Sequence, residues 1–254
     1  PDPAYYTRTD ADTRALMGRY KDYIQQILAL TGTPQAQLSA QADEVIDLET
    51  RIARQSRPLL DLRDPRANYA PVATATLAKK YKRLQLGDFL KAQGVNDDTV
   101  SMANPNLFAT LDQLVGSLKP AQWQAYLRWR VGDAMAPYLS KSFRDASFAF
   151  RGKLLEGRAA PAPRAQQVLD AITLAAGPMV GHEYAARYLP AATDKRAEDM
   201  ADQVRGALAQ AIDRETRFSA SAKTEAKAKI ERLKIEIGTP HRDLDYTVQP
   251  MGRG

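Results

Sequence analysis

The residues with the most chemical promise lie in the stretch Val180-Gly181-His182-Glu183-Tyr184. A His-Glu pair on a helix is the first half of the zinc-binding pattern His-Glu-x-x-His. That pattern works because positions i and i+4 share one helix face, so two imidazoles meet one metal while the Glu polarises its bound water. Here position i+4 is Ala186, so the second imidazole is missing. A catalytic zinc takes three protein ligands, and the sequence offers only one other histidine, His241, for a His182–His241–carboxylate site. The competing reading is a plain helical turn. In it Gly181 allows close packing, Tyr184 and Tyr188 face the core, and Glu183 suits the positive end of the helix dipole.

Other groups carry less chemistry. Asp43, Glu44, Asp47 and Glu49 crowd one helical segment, where the expectation is a solvated acidic face. Trp123 and Trp129 could stack a base or a sugar, but aromatic residues at such spacing are more often core. Lys223, Lys227, Lys229 and Lys234 alternate with Glu225, Glu231 and Glu236, which reads as i,i+4 pairing on an exposed helix rather than a phosphate grip. No glycine-rich phosphate loop is present, and no serine stands in a spacing that marks a catalytic triad. These residues by themselves supply no catalytic, cofactor-binding or metal-binding set.

The elements that must position them are almost all helical. Leu16, Tyr20, Tyr23, Ile24, Ile27 and Leu28 recur at spacings of three and four between Asp12 and Leu30. A second helix to about Ser56 carries Leu38, Ala42, Val45, Ile46, Leu48, Ile52 and Ala53. Pro58, Pro65 and Pro71 make Arg57–Ala73 irregular. Short helices are expected at Thr74–Tyr81 and Gly87–Gln93, and Thr99–Met102 is the best candidate for a short strand. Asn104-Pro105 is a cap and first-turn proline for a helix to about Leu118. Pro120 starts the next, which Pro137 kinks or ends, and helix resumes from Leu139 to about Leu155.

Gly157–Pro163 is a linker. The Arg164–Leu189 pattern breaks at Gly177-Pro178, Thr193 and Asp194 can cap a helix through Arg217, and the last helix is expected over Ser221–Glu236, stopped by Gly238. The sum is an all-α chain, a single irregular lobe of about ten helices with almost no strand.

The totals fit that picture. With 254 residues, 44% hydrophobic and 26% charged, the chain is an ordinary globular protein with a sizeable core. It has no cysteine, so no disulfide or thiolate site supports it. The formal charge of +6 is scattered among acidic residues rather than gathered in the stripe that nucleic acid requires. No run reaches the length of a membrane span.

Seven short segments, in order, resemble the N-terminal helical region of the neprilysin and endothelin-converting enzyme family of zinc metalloendopeptidases. They are Pro1-Asp2-Pro3-Ala4-Tyr5-Tyr6; Leu48-Glu49-Thr50-Arg51-Ile52-Ala53; Arg63-Asp64-Pro65 with Tyr69; Tyr126-Leu127-Arg128-Trp129-Arg130 with Tyr138-Leu139-Ser140; Val180–Tyr184; Thr224–Ile230; and Ile237-Gly238-Thr239-Pro240, with Asp245-Tyr246 beyond. The resemblance covers residues 1–246 and leaves 247–254 as a tail or the start of a connection.

It implies that Val-Gly-x-x-Tyr is a structural helix, and that zinc and the catalytic residues belong to a separate C-terminal lobe of the same polypeptide. This chain would then bind no zinc itself and be inactive alone. The helical lobe would cover a cavity that admits short peptides, with Arg57–Ala73 and Gly157–Pro163 as candidate lobe contacts. The lack of cysteine favours a bacterial, periplasmic or secreted member, and Phe218 stands where the family has a Trp-like position. A stand-alone helical binding or scaffold protein sharing the lobe fold is the alternative.

Overall fold

The computed structural model describes residues 2–240; Pro1, His241, Asp245, Tyr246 and the tail to Gly254 lie outside them. The chain divides into two compact units between Pro161 and Ala162, inside the expected linker. The fold is all-α, with one pair of three-residue strands.

In the first unit α1 (Ala11–Leu30) starts at Asp10, whose carboxylate accepts from the Thr13 amide at 2.9 Å, a side-chain N-cap. Gly32, at φ +91, ends it by turning the chain left-handed. α2 (Leu38–Gln55) packs back on α1. A four-residue helix, α3 (Pro65–Asn68), interrupts the proline-rich loop. Strand β1 (Pro71–Ala73) leads into α4 (Thr74–Lys80) and α5 (Leu86–Ala92), and β2 (Thr99–Ser101) pairs antiparallel with β1, Val72 facing Val100. β2 is the expected strand. β1 escapes a sequence reading because it opens on Pro71, which is tolerated at the first residue of an edge strand. α6 (Pro105–Ser117) is capped by Asn104, as its sequence predicts.

α7 (Pro120–Met135) ends before Pro137 in a single tight turn. α8 (Lys141–Ser147) then runs into a π-helical segment, Phe148–Leu155, which the periodicity does not foretell. The main core joins α1, α2, α7, α8 and this segment. Its centre is Trp129, fully buried, with its ring edge-on to Tyr20 and Tyr23 at 5.7 and 5.3 Å, while Phe150 stacks on Tyr23 at 4.9 Å. A smaller cluster forms around Leu77, Tyr81 and Met102.

In the second unit α9 (Arg164–Tyr188) kinks at Ala176, φ −134, two residues before Pro178, where the break is expected. α10 (Ala191–Arg214) packs with α11 (Ala220–Glu231). α11 stops at Glu231, five residues short of the expected Glu236. Its lysines do not pair as expected: Lys227 reaches the Asp213 carboxylate at 2.9 Å and Lys223 the Asp213 carbonyl at 2.7 Å, both on α10.

Candidate functional site

The His182-Glu183 pair sits in the straight second half of α9. Glu183 pairs with Arg187 at 3.0 Å along the exposed face. Ala186 occupies the position a second imidazole would need, and His241 lies outside the described residues. Among the described residues no group of three His, Cys, Asp or Glu side chains is placed to hold a metal ion. The described residues do not fit a zinc centre.

The environment of this turn corrects one expectation and explains another. Tyr184 and Tyr188 do not face the core: they are 65% and 69% exposed, with rings 5.1 Å apart. The inward position is Ala185, because Gly181 lies against Pro240; a Cβ on Gly181 would come within 2.7 Å of the proline Cγ. The two glycine-containing segments, Val180–Tyr184 and Ile237–Pro240, therefore meet. Asp194 fastens the second of them. Instead of capping α10, which starts on Pro190, its carboxylate accepts the Thr239 hydroxyl at 2.6 Å and the Thr239 amide at 3.3 Å.

Gly238 sits at φ +75, and a Cβ there would fall 1.7 Å from the Asp194 carboxylate. Gly238→Ala is expected to destabilise this clasp by about 1–3 kcal/mol. Amide exchange at Thr239 checks it: protection should fall by roughly tenfold or more, and unchanged protection would contradict the clasp.

The polar chemistry of the first unit lies where the sequence suggested a solvated face. Asp43 and Asp47 are exposed and paired with Lys21 and Arg51. Glu49 is not: it is buried at 6% exposure. Its carboxylate accepts from the Tyr20 hydroxyl at 2.7 Å, the Tyr6 hydroxyl at 2.9 Å and the Trp129 indole at 3.3 Å, with Arg130 at 3.8 Å. The signal was present in the sequence. Ala42, Val45, Glu49 and Ala53 follow one another at spacings of three, four and four, so Glu49 stands on the apolar stripe. Three neutral donors and a cation then satisfy a carboxylate that burial would otherwise penalise. Of the two tryptophans, Trp129 is core, and Trp123 lies half-buried at the edge of Tyr126.

A second buried carboxylate, Asp133 of α7, accepts from the Tyr23 hydroxyl at 2.7 Å and from Arg151 through Nε at 2.9 Å and through Nη2. Arg151 belongs to the π-helical segment. The hydrogen bonds to Asp133 raise the Arg151 pKa, and burial raises those of Tyr6, Tyr20 and Tyr23, with the neighbouring carboxylates acting in the same direction. Asp133 follows Ala125 and Trp129 at spacings of four, so it too stands on a buried stripe; Arg151 carries no such mark, and the two meet only through tertiary packing.

The tyrosine shifts give a stability prediction. Unfolded tyrosines ionise near pH 10, while these three stay protonated in the fold. Above that pH the unfolded state binds fewer protons than the native one, so stability falls as pH rises. The contribution is complete below about pH 10. Denaturant midpoints taken between pH 8 and 11 should decline, and Tyr20→Phe should flatten the decline. A flat wild-type profile would contradict it.

Among the described residues no helix is long and apolar enough to cross a membrane. The sequence profile of peptidase family M13 matches residues 1–240. The chain is 24% identical over 256 residues to endothelin-converting enzyme-like 1 of Mus musculus, covering 98% of this chain and 32% of that protein. It is 22% identical over 246 residues to the neutral endopeptidase of Lactobacillus helveticus, covering 95% of this chain and 37% of that one. Its fold is similar to the open state of the zinc metalloprotease Zmp1 of Mycobacterium tuberculosis, with TM-score 0.75 and 23% identity over 97% of this chain and 38% of that one. It is also similar to PepO from Lactobacillus rhamnosis, with TM-score 0.77 and 19% identity over 96% of this chain and 39% of that one. The chain thus spans about a third of the length of the relatives it matches.

Proposed function

The chain belongs to peptidase family M13, and on that premise we propose that it is the noncatalytic helical lobe of a neprilysin-like zinc metalloendopeptidase. The proposed lobe is assigned residues 1–246, of which Pro1 and 241–246 lie outside the described residues. The zinc and the catalytic residues belong to a C-terminal lobe of the same polypeptide, and this chain alone is inactive. The carrying observation is the match over residues 1–240 to proteins of which the chain makes up only about a third. The lack of cysteine supports a bacterial source; location in the periplasm or the medium rests on the family resemblance.

Exposed apolar surface in each unit supports a covering role. Arg57 ties the loop after α2 together by donating to the Asn68 side chain at 2.6 Å and to the Asp61 carbonyl at 2.9 Å. That stitched loop presents Leu60 and Tyr69 almost fully to solvent, at 73% and 72% exposure. On α10, Met200, Val204 and Leu208 form an exposed row four residues apart. A row of this sort supports a face that other polypeptide covers.

A wall of packed helices over a catalytic lobe selects substrates by size, since a folded protein cannot enter the enclosure. The natural full-length protein is therefore expected to cleave short peptides and to leave a folded protein containing the same sequence intact. The readout is mass spectrometry of both digests. Equal cleavage of the two would count against the covering role.

A further inference from the structure

The wall of the main core beside the N-terminal residues holds a cavity of about 400 Å³ to which Tyr6, Leu16, Met17, Arg130, Arg151 and Leu155 contribute. Two arginines line it, each partnered by a buried carboxylate that is not part of the lining. The Glu49 and Asp133 side chains are 7% exposed, whereas those of Arg130 and Arg151, their partners, are 52% and 43% exposed.

The two arginines differ. Arg151 is committed to Asp133 through two hydrogen bonds. Arg130 makes none among the described residues; its single ionic contact, to Glu49, is at 3.8 Å. Glu49 does not depend on it, because two tyrosines and Trp129 already donate to that carboxylate. A guanidinium carries five N–H donors in a fork that matches a carboxylate. Here Arg130 lines the cavity together with aliphatic side chains, Leu16, Met17 and Leu155, and with aromatic ones, Tyr5, Tyr6, Tyr20 and Phe150. One wall comes from the π-helical segment, an irregularity often found at functional sites.

We propose that this cavity binds a carboxylate carried on an apolar body, with the carboxylate on Arg130 and the body among Leu16, Met17 and Leu155. Both a small organic acid and the C-terminus of a short peptide have that chemistry. The site lies entirely within the first unit and needs no metal. It stands apart from the peptidase reading, because binding is measured without turnover.

The test is calorimetric titration of the natural full-length protein with 3-phenylpropionate and N-acetylphenylalanine, each alongside its uncharged amide. The acids are expected to bind, and the amides to bind at least roughly tenfold more weakly, as loss of a charge-assisted hydrogen bond requires. Arg130→Gln should weaken the acids by a similar factor. Met17→Trp, which fills the cavity from a residue that makes no hydrogen bond to Glu49, should abolish binding and still decides the matter if the Arg130 variant does not fold. Binding of 3-phenylpropionate alone would support a site for small acids; binding of both acids would extend it to peptide termini. Failure of both acids to bind, amides binding as well as acids, or acid binding unchanged in both variants would overturn the proposal.

Discussion

Replacing Trp129 by alanine is expected to destabilise the first unit by about 3–5 kcal/mol. The side chain is fully buried, packs edge-on against Tyr20 and Tyr23, and donates its indole N–H to Glu49. Its loss opens a cavity between α1, α2 and α7 and removes one donor from a buried carboxylate. Trp129→Phe should cost less, because it retains most of the apolar surface while still depriving Glu49 of that donor. Urea midpoints of the two variants separate packing from hydrogen bonding. Equal losses would place the weight on the hydrogen bond, and a loss below about 1 kcal/mol for the alanine variant would contradict the described core.

Asp133→Ala is expected to cost a similar amount, about 3–5 kcal/mol, for a different reason. It leaves the Arg151 guanidinium half-buried without its carboxylate and removes the acceptor of the Tyr23 hydroxyl. The partial exposure of Arg151 puts the expected loss toward the lower end, since water can solvate part of its charge. A double substitution, Asp133→Leu with Arg151→Met, should be less destabilising than the sum of the two single changes. Additive losses in that cycle would show that the pair does not act as a unit.

Most of the helical framework was legible in the sequence because it rests on local rules. The Leu16–Leu28 stripe of α1, the Asn104-Pro105 start of α6, the arrest of α7 before Pro137 and the break near Gly177-Pro178 each follow from periodicity or proline geometry. What escaped depends on tertiary neighbours. Glu49 was assigned to a solvated face because its charge outweighed its place on the apolar stripe, and only Tyr6, Tyr20 and Trp129 make its burial tolerable. Tyr184 and Tyr188 were placed inward, but the contact of Gly181 with Pro240 turns a different face of α9 inward. The π-helical turn carrying Arg151 has no sequence periodicity of its own.

The resemblance in seven ordered segments identified the family where no single residue could. Two of those segments, Val180–Tyr184 and Ile237–Pro240, turn out to be partners in one clasp, so Gly181 is explained by packing. Glu183 of the His-Glu pair beside it forms an ion pair with Arg187 on the exposed face of α9.

As one lobe of a larger zinc peptidase, the chain is proposed to belong to a much longer, zinc-containing polypeptide. The most direct measurement is the intact mass and zinc content of the native protein, isolated from its source with an antibody to this chain. A mass well over twice 28.1 kDa with one zinc per polypeptide is the predicted result. A zinc-free protein near 28.1 kDa would contradict it and leave a helical binding or scaffold protein that shares only the fold.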